Sequence, residues 1–333
     1  MFEISKENST IAKGIAISMM LFLHLFNGNH ANLCTNLVFI GNIPLATWLT
    51  RACNPVSFFL LLSGYGLAYK YEKNKLSSLN QSRSVLFLYI NYWIILTFFL
   101  VIGHLLKPAR YPGALDSVFP NYLGWHTTYN TEMWFLFPYS IISICSVYII
   151  RIIDRIGILW SFLITACIHL ATSYGISRYG VFLFNNMVLY QPLLFLHLLY
   201  SFTLGVIMKR LILNYRLTIP QWGIWIGIII SVCLMCIIDF DGCYMIYTPL
   251  MVILFCHIKY PKIIKKSLME LGKKSMPIWM IHTWLAYYLF QSYIYSLRYP
   301  LLIFIGLMAA SYILSIPIIW IVQKINKRIL LKR

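Results

Sequence analysis

The stretch AKGIAISMMLFLHLF, residues 12–26, decides what kind of protein this is. With its flanks it forms a mostly apolar run over 11–29, close to the about 20 residues that a membrane-spanning helix needs. Runs of the same kind follow at 50–69, 84–105, 132–150, 157–175, 187–208, 219–238, 243–259, 277–295 and 300–323. Ten spans are therefore expected. The second is broken by Asn54-Pro55, so it is expected to begin late or to follow a short interfacial piece over 37–49. Composition agrees. Hydrophobic residues make up 60% and charged residues 11%, against roughly 45–50% and about 25% in a soluble domain. The mean hydropathy is +0.75. The reading is an all-α, polytopic membrane protein, one domain over 1–333, with no appended soluble domain. Disordered, collagen-like and disulfide-scaffold classes are excluded, and MFEISKENST does not read as a signal peptide.

The net charge of +18 belongs to the loops. With ten spans, all Lys and Arg except Arg51, Lys107, Arg110, Arg178 and Arg298 fall on the side of the N-terminus, from Lys6 to Arg216 and on to Lys332 and Arg333. Such asymmetry predicts both termini inside. No basic run is interleaved with aromatics, so nucleic acid is excluded as a partner. Anionic lipid headgroups are the expected surface contact.

Ionisable groups inside spans are functional candidates. Lys13 and His24 are eleven positions apart, three turns plus roughly 20°, so they share a face about 16 Å apart along the axis. Lys13 also fits a snorkelling anchor at the inner edge, and His24 fits a histidine hydrogen-bonded to a neighbouring helix. Ser63-Gly64-Tyr65-Gly66 near the inner end of the second span suits close helix packing as well as a site. Arg83 enters the third span from inside. Glu132 opens TEMWFLFPYS (131–140) at the outer end of the fourth, at a depth like that of His24. In LGKKSMPIWMIHTW (271–284), Pro277 suits a first helical turn, and His282 is expected roughly 8–10 Å inside the cytoplasmic edge. His104, His169, His197 and His257 form no constellation in the sequence and are read as packing residues. Metal-ligand, nucleotide and hydrolase motifs are absent.

In this order the features resemble the integral-membrane acyltransferase 3 family. That family has a basic residue, ten intervening positions and a histidine in its first span, matched by Lys13 and His24. An FF-x-x-SG-Y/F stretch is matched, with one extra residue, by Phe58 to Tyr65. Trp134-Phe135-Leu136 matches a central Trp-Phe-Leu segment. Gly272, Ser275, Ile278 and His282 match a late G-x-x-S-x-x-I/L-x-x-x-H pattern. The family usually has Arg where this chain has Lys13, and its basic cluster at the third span is matched only by Arg83. The wording around His24 and Glu132 is similar to stand-alone bacterial O-acetyltransferases of capsules and other surface polysaccharides.

The resemblance implies a multi-pass protein of the bacterial cytoplasmic membrane. It would move an acetyl group from cytoplasmic acetyl-CoA to a hydroxyl of a surface polysaccharide or its lipid-linked precursor, without a metal. Lys13 and Arg83 would meet the CoA phosphates, and Ser63, Tyr65 and His282 would line the donor channel. His24 would act on the acceptor hydroxyl with Glu132 supporting it, and Trp134 would stand on the acceptor side. A transporter or flippase for a lipid-linked sugar is the rival expectation, although no internal repeat of the transporter kind is visible.

Overall fold

The computed structural model describes residues 4–211 and 219–331. Arg216, Lys332 and Arg333 of the charge count lie outside them. The long helices are α1 (Lys6–Phe26), α3 (Pro55–Glu72), α4 (Ser78–Leu106), α6 (Leu136–Ile156), α7 (Ile158–Phe184), α8 (Met187–Leu211), α9 (Gln221–Ile238) and α14 (Pro300–Leu331). Shorter ones are α2 (Leu45–Thr50), α5 (Val118–Leu123), α10 (Tyr244–His257), α11 (Lys262–Lys273), α12 (Ser275–Thr283) and α13 (Gln291–Tyr295). A two-residue hairpin, Phe39–Ile40 paired with Ile43–Pro44, is the β-structure among the described residues. Eight helices there are long and apolar enough to cross a membrane. The protein is an all-α, polytopic membrane protein.

Two of the ten expected spans are not full-length helices. The run 243–259 becomes α10, of 14 residues, about 21 Å long against a hydrocarbon core of about 30 Å. The run 277–295 breaks into α12, a π-helical turn over Trp284–Tyr288 and the single turn of α13. Apolar composition does not report such interruptions. Contacts at the ends of these segments bear on the expected sidedness. Arg51 pairs with Asp239 before α10 at 3.2 Å, and Lys265 pairs with Glu7 after it at 2.7 Å. Lys274 donates to the Tyr312 hydroxyl at the start of α12, and Arg298 reaches Thr35 beyond α13. The contacts of Arg51, Lys265 and Arg298 each join segments that the charge count places on one side, whereas Tyr312 lies within the span 300–323.

Helix starts follow local chemistry. Ser5 and Ser77 accept from the backbone amides of Asn8 and Asn80, capping α1 and α4. The Asn54 side chain caps α3, whose first residue is Pro55, a position that lacks an amide partner in any case. This is why the second span begins late, with α2 as its short preceding piece. The helix α11, an amphipathic segment with Ile263 and Ile264 exposed, was not expected from apolar runs. It ends in an ionic clamp, Glu270 receiving hydrogen bonds from Lys273 at 2.8 Å and Lys274 at 2.9 Å. Those two bonds hold its carboxyl down at about 2.

Two pairs of glycines let backbones touch. A Cβ on Gly64 of α3 would strike the carbonyl of Phe202, and one on Gly205 of α8 the carbonyl of Leu61. Gly14 of α1 lies against the Leu268 carbonyl, and Gly272 of α11 against that of Thr10. Gly66, two positions on and so on a different face of α3, has nothing within 4 Å of its Cβ position. Gly205→Ala is therefore expected to cost about 1–3 kcal/mol by overpacking, seen as a lower Tm and lower membrane abundance. Gly66→Ala should leave both near wild type; equal losses for the two variants would refute this packing.

Candidate active site

Three cavities line the path along α1. An inner one of about 340 Å³ holds Lys13 with Ser63, Gly66 and Lys70 of α3, Gln81 and Ser84 of α4, and Tyr139 and Ser143 of α6. Spacing explains the grouping. Residues 63, 66 and 70 recur at three and four positions, as do 81, 84, 85 and 88, so each set forms one helix face. The Ser63 hydroxyl lies 3.3 Å from that of Tyr139, and Ser143 donates to Gln81 at 3.3 Å. No carboxylate lines this cavity, and Lys13 has no ion-pair partner among the described residues.

Two residues expected here lie elsewhere. Arg83 falls between 81 and 84 and so off the lining face of α4. Tyr65 falls off the 63–66–70 face, and its hydroxyl accepts from the Ile4 amide at 3.0 Å. Lys70, Gln81, Tyr139 and Ser143 stand in the cavity instead. Of these, Lys70 was readable, since it continues the helical repeat of Ser63.

At the other end of α1, His24 and Trp134 line two cavities at once, one of about 550 Å³ and one of about 270 Å³. The smaller one also holds Glu132 and Gln191. The Glu132 carboxylate is fixed through Oε2, which accepts from the Tyr288 hydroxyl at 2.7 Å and from Thr131 Oγ1 at 3.1 Å. With its amide oriented to satisfy all neighbours, Asn130 adds a third donor at 3.2 Å and accepts from Trp284 Nε1 at 3.1 Å. The His24 carbonyl receives the Tyr287 hydroxyl. Both tyrosines come from the π-helical turn, a distortion often found at functional sites. The His24 ring itself has no hydrogen-bond partner among the described side chains.

His282 is the main correction. Its ring centroid lies 5.1 Å from that of His24, not in the inner cavity. The glycine contacts with α11 set α12 running beside α1, so the residues ten beyond Gly272 and Gly14 reach the same depth. His282 is fully buried. Its Nδ1 lies 2.7 Å from the Trp279 carbonyl, which makes Nδ1 the proton donor. Nε2 has no hydrogen-bond partner among the described residues. A neutral imidazole with a free acceptor nitrogen thus flanks His24. His169 and His197, read as packing residues, stack at 4.3 Å and also line the larger outer cavity. Antiparallel packing of α7 on α8 brings them together, which neither helix alone reveals.

A lysine-lined cavity lies at one end of the first helix and a half-buried, cavity-lining histidine with a fixed carboxylate at the other. A family model described as an acyltransferase domain, Acyl_transf_3, matches residues 8–321. The chain belongs to the acyltransferase 3 family. No curated protein and no solved structure matches it. The match runs from within α1 to within α14, so every residue of this acyltransferase that lines the three cavities lies inside it. Family membership favours group transfer over the transporter alternative.

The exposure difference between the two histidines is testable. Diethyl pyrocarbonate applied to the purified acyltransferase is expected to modify His24 and spare His282, read by peptide mass spectrometry. Equal modification would mean that the His282 pocket is not sealed.

Proposed function

We propose that the protein is an O-acetyltransferase of a bacterial cytoplasmic membrane, with both termini cytoplasmic. The donor is acetyl-CoA from inside, and the acceptor is a hydroxyl of a surface polysaccharide or its lipid-linked precursor. The observation that carries this is the division of charge along α1. The Lys13 cavity holds a second lysine and no carboxylate, which suits the phosphates of CoA. The cavities at His24 hold carboxylates and no Lys or Arg, which suits a hydroxyl that must give up a proton.

In this mechanism Lys13 and Lys70 anchor the CoA phosphates, and the thioester extends toward His24. Neutral His24 takes the acceptor hydroxyl proton as its oxygen attacks the acetyl carbonyl. The C–O bond forms, the C–S bond breaks, and the proton passes from His24 to the departing thiolate. Glu132, held by Tyr288, Thr131 and Asn130, stabilises the imidazolium that exists between the two proton transfers. His282 limits the ring orientations of His24. Trp134 shapes the acceptor side. The Phe135 ring stacks on Tyr139 at 5.1 Å and packs edge-on against Trp279 at 5.6 Å. These rings stand between the inner cavity and Trp134, so they must part for the acetyl group to pass and otherwise keep water from the thioester.

Surface-polysaccharide O-acetyl signals in NMR should be lost in cells carrying His24→Gln, at near-normal abundance of the protein. A general base contributes about 10²–10⁴-fold, so wild-type acetylation by this variant would remove His24 from the chemistry. With purified protein, Lys13→Ala and Lys70→Ala should each raise KM for acetyl-CoA, while Arg83→Ala should not. An unchanged donor KM in folded Lys13→Ala would return Lys13 to an anchoring role. Phe135→Ala should raise acetyl-CoA hydrolysis without acceptor; no increase would show that these rings are not the barrier.

A further inference from the structure

The larger outer cavity extends well beyond His24, and its far wall is built by α7 and α8. There His169 and His197 stack at 4.3 Å and 26°. His169 Nδ1 lies 2.9 Å from the His197 carbonyl, so this nitrogen carries the proton and Nε2 is an acceptor. The hydroxyls of Thr172 and Ser173 lie 3.3 and 3.4 Å from His197 Nδ1. Each ring is thus braced through Nδ1, and neither Nε2 has a hydrogen-bond partner among the described residues. Ser177, Tyr190, Ser201 and Asp241 line the same cavity. Apolar side chains would pack α7 on α8 without this cost, since polar groups inside a membrane are expensive unless satisfied. The volume of about 550 Å³ lies within the usual range of about 300–1,000 Å³ for small-molecule sites.

Charge narrows the ligand. In a chain of net charge +18, the charged residues lining the two outer cavities are Asp241 and Glu132, both acidic. An anionic ligand would meet two carboxylates and no cation. Hydroxyl groups, in contrast, can donate to Asp241 and to free imidazole nitrogens and accept from Ser and Tyr hydroxyls. The Trp134, Tyr190 and Tyr244 rings supply apolar surface beside them.

We infer that the His169–His197 wall is an acceptor-recognition subsite for the ring hydroxyls of an uncharged sugar unit, selecting against uronate or phosphorylated units. This rests on the O-acetyltransferase reading above. His169 and His197 bind the acceptor in this assignment and take no part in the acetyl transfer at His24. Their loss should therefore weaken acceptor binding and leave donor handling intact.

The test uses the full chain in lipid nanodiscs with radiolabelled acetyl-CoA and two acceptors, octyl β-glucoside and octyl β-glucuronide. Wild type should acetylate the glucoside with kcat/KM at least about tenfold above that for the glucuronide, which corresponds to about 1.4 kcal/mol. His169→Phe and His197→Phe should raise the glucoside KM about 5- to 100-fold, as for an unpaired polar group. Their kcat at saturating glucoside and their acetyl-CoA KM should stay near wild type. His197→Gln, which keeps a polar tip, should recover part of the KM loss. The subsite is overturned if the glucuronide is used equally well, if donor turnover proceeds with neither glycoside acetylated, or if the Phe variants lower kcat or donor use without moving the glucoside KM. Absence of any acetyl-CoA turnover by wild type overturns the O-acetyltransferase reading itself, and this subsite with it.

Discussion

Gly14 and Gly272 bring α1 and α11 into backbone contact, Gly14 against the Leu268 carbonyl and Gly272 against that of Thr10. Side chains longer than a hydrogen would hold the two helices apart there. The contact fixes where the chain stands when it turns into α12, and α12 then climbs beside α1. His282 reaches His24 because of it, and the π-helical turn that follows places Tyr287 at the His24 carbonyl and Tyr288 at Glu132. One small-residue crossing at the inner surface thus sets the register of the outer site. The Gly64–Gly205 crossing does the same for the other flank. It presses α8 onto α3, and α8 carries His197 toward α7.

The distribution of charge serves orientation and chemistry together. Lysines that fix the inner loops by the positive-inside tendency also include Lys13 and Lys70, which face a cavity empty of carboxylates. The outer ends carry few cations, and three of them are engaged: Arg51 with Asp239, Lys107 with the Tyr288 carbonyl, and Arg110 over the Tyr288 ring. The acidic lining of the outer cavities is therefore not neutralised by a neighbouring lysine or arginine of the lining. A polyanionic donor is favoured at one end of α1 and an uncharged acceptor at the other, within a single helix.

Much of this was legible in the sequence. Apolar runs located the long helices, because a chain in lipid must satisfy its backbone internally and does so as helices. The eleven-residue spacing placed Lys13 and His24 on one face, and they open on the two ends of the proposed path. What could not be read is what depends on contacts between helices. The break in the run 277–295 is invisible to composition, since WLAYY is as apolar as its flanks. The depth of His282 depended on α11, a polar amphipathic helix that no apolar run announces. Arg83 and Tyr65 were placed by motif and loop position, whereas the helix face decides what lines a cavity. The pairing of His169 with His197 arises only from the packing of two helices.

Lys13 stands where the resemblance to the family implies Arg, and the surrounding geometry gives this exchange a physical sense. An arginine offers a planar fork that binds two phosphate oxygens at once, whereas a lysine is a compact point charge on a flexible stem. A single lysine would therefore hold a phosphate with less direction. Here Lys70 joins Lys13 across the same cavity, one helix turn beyond Gly66, whose missing side chain leaves room between them. Two separate ammonium groups can approach different oxygens of a phosphate group from two helices. The directional grip that one fork supplies is then distributed over α1 and α3. It depends on those helices keeping their spacing, which brings the proposed donor site back to the same glycine contacts that set the register of His24.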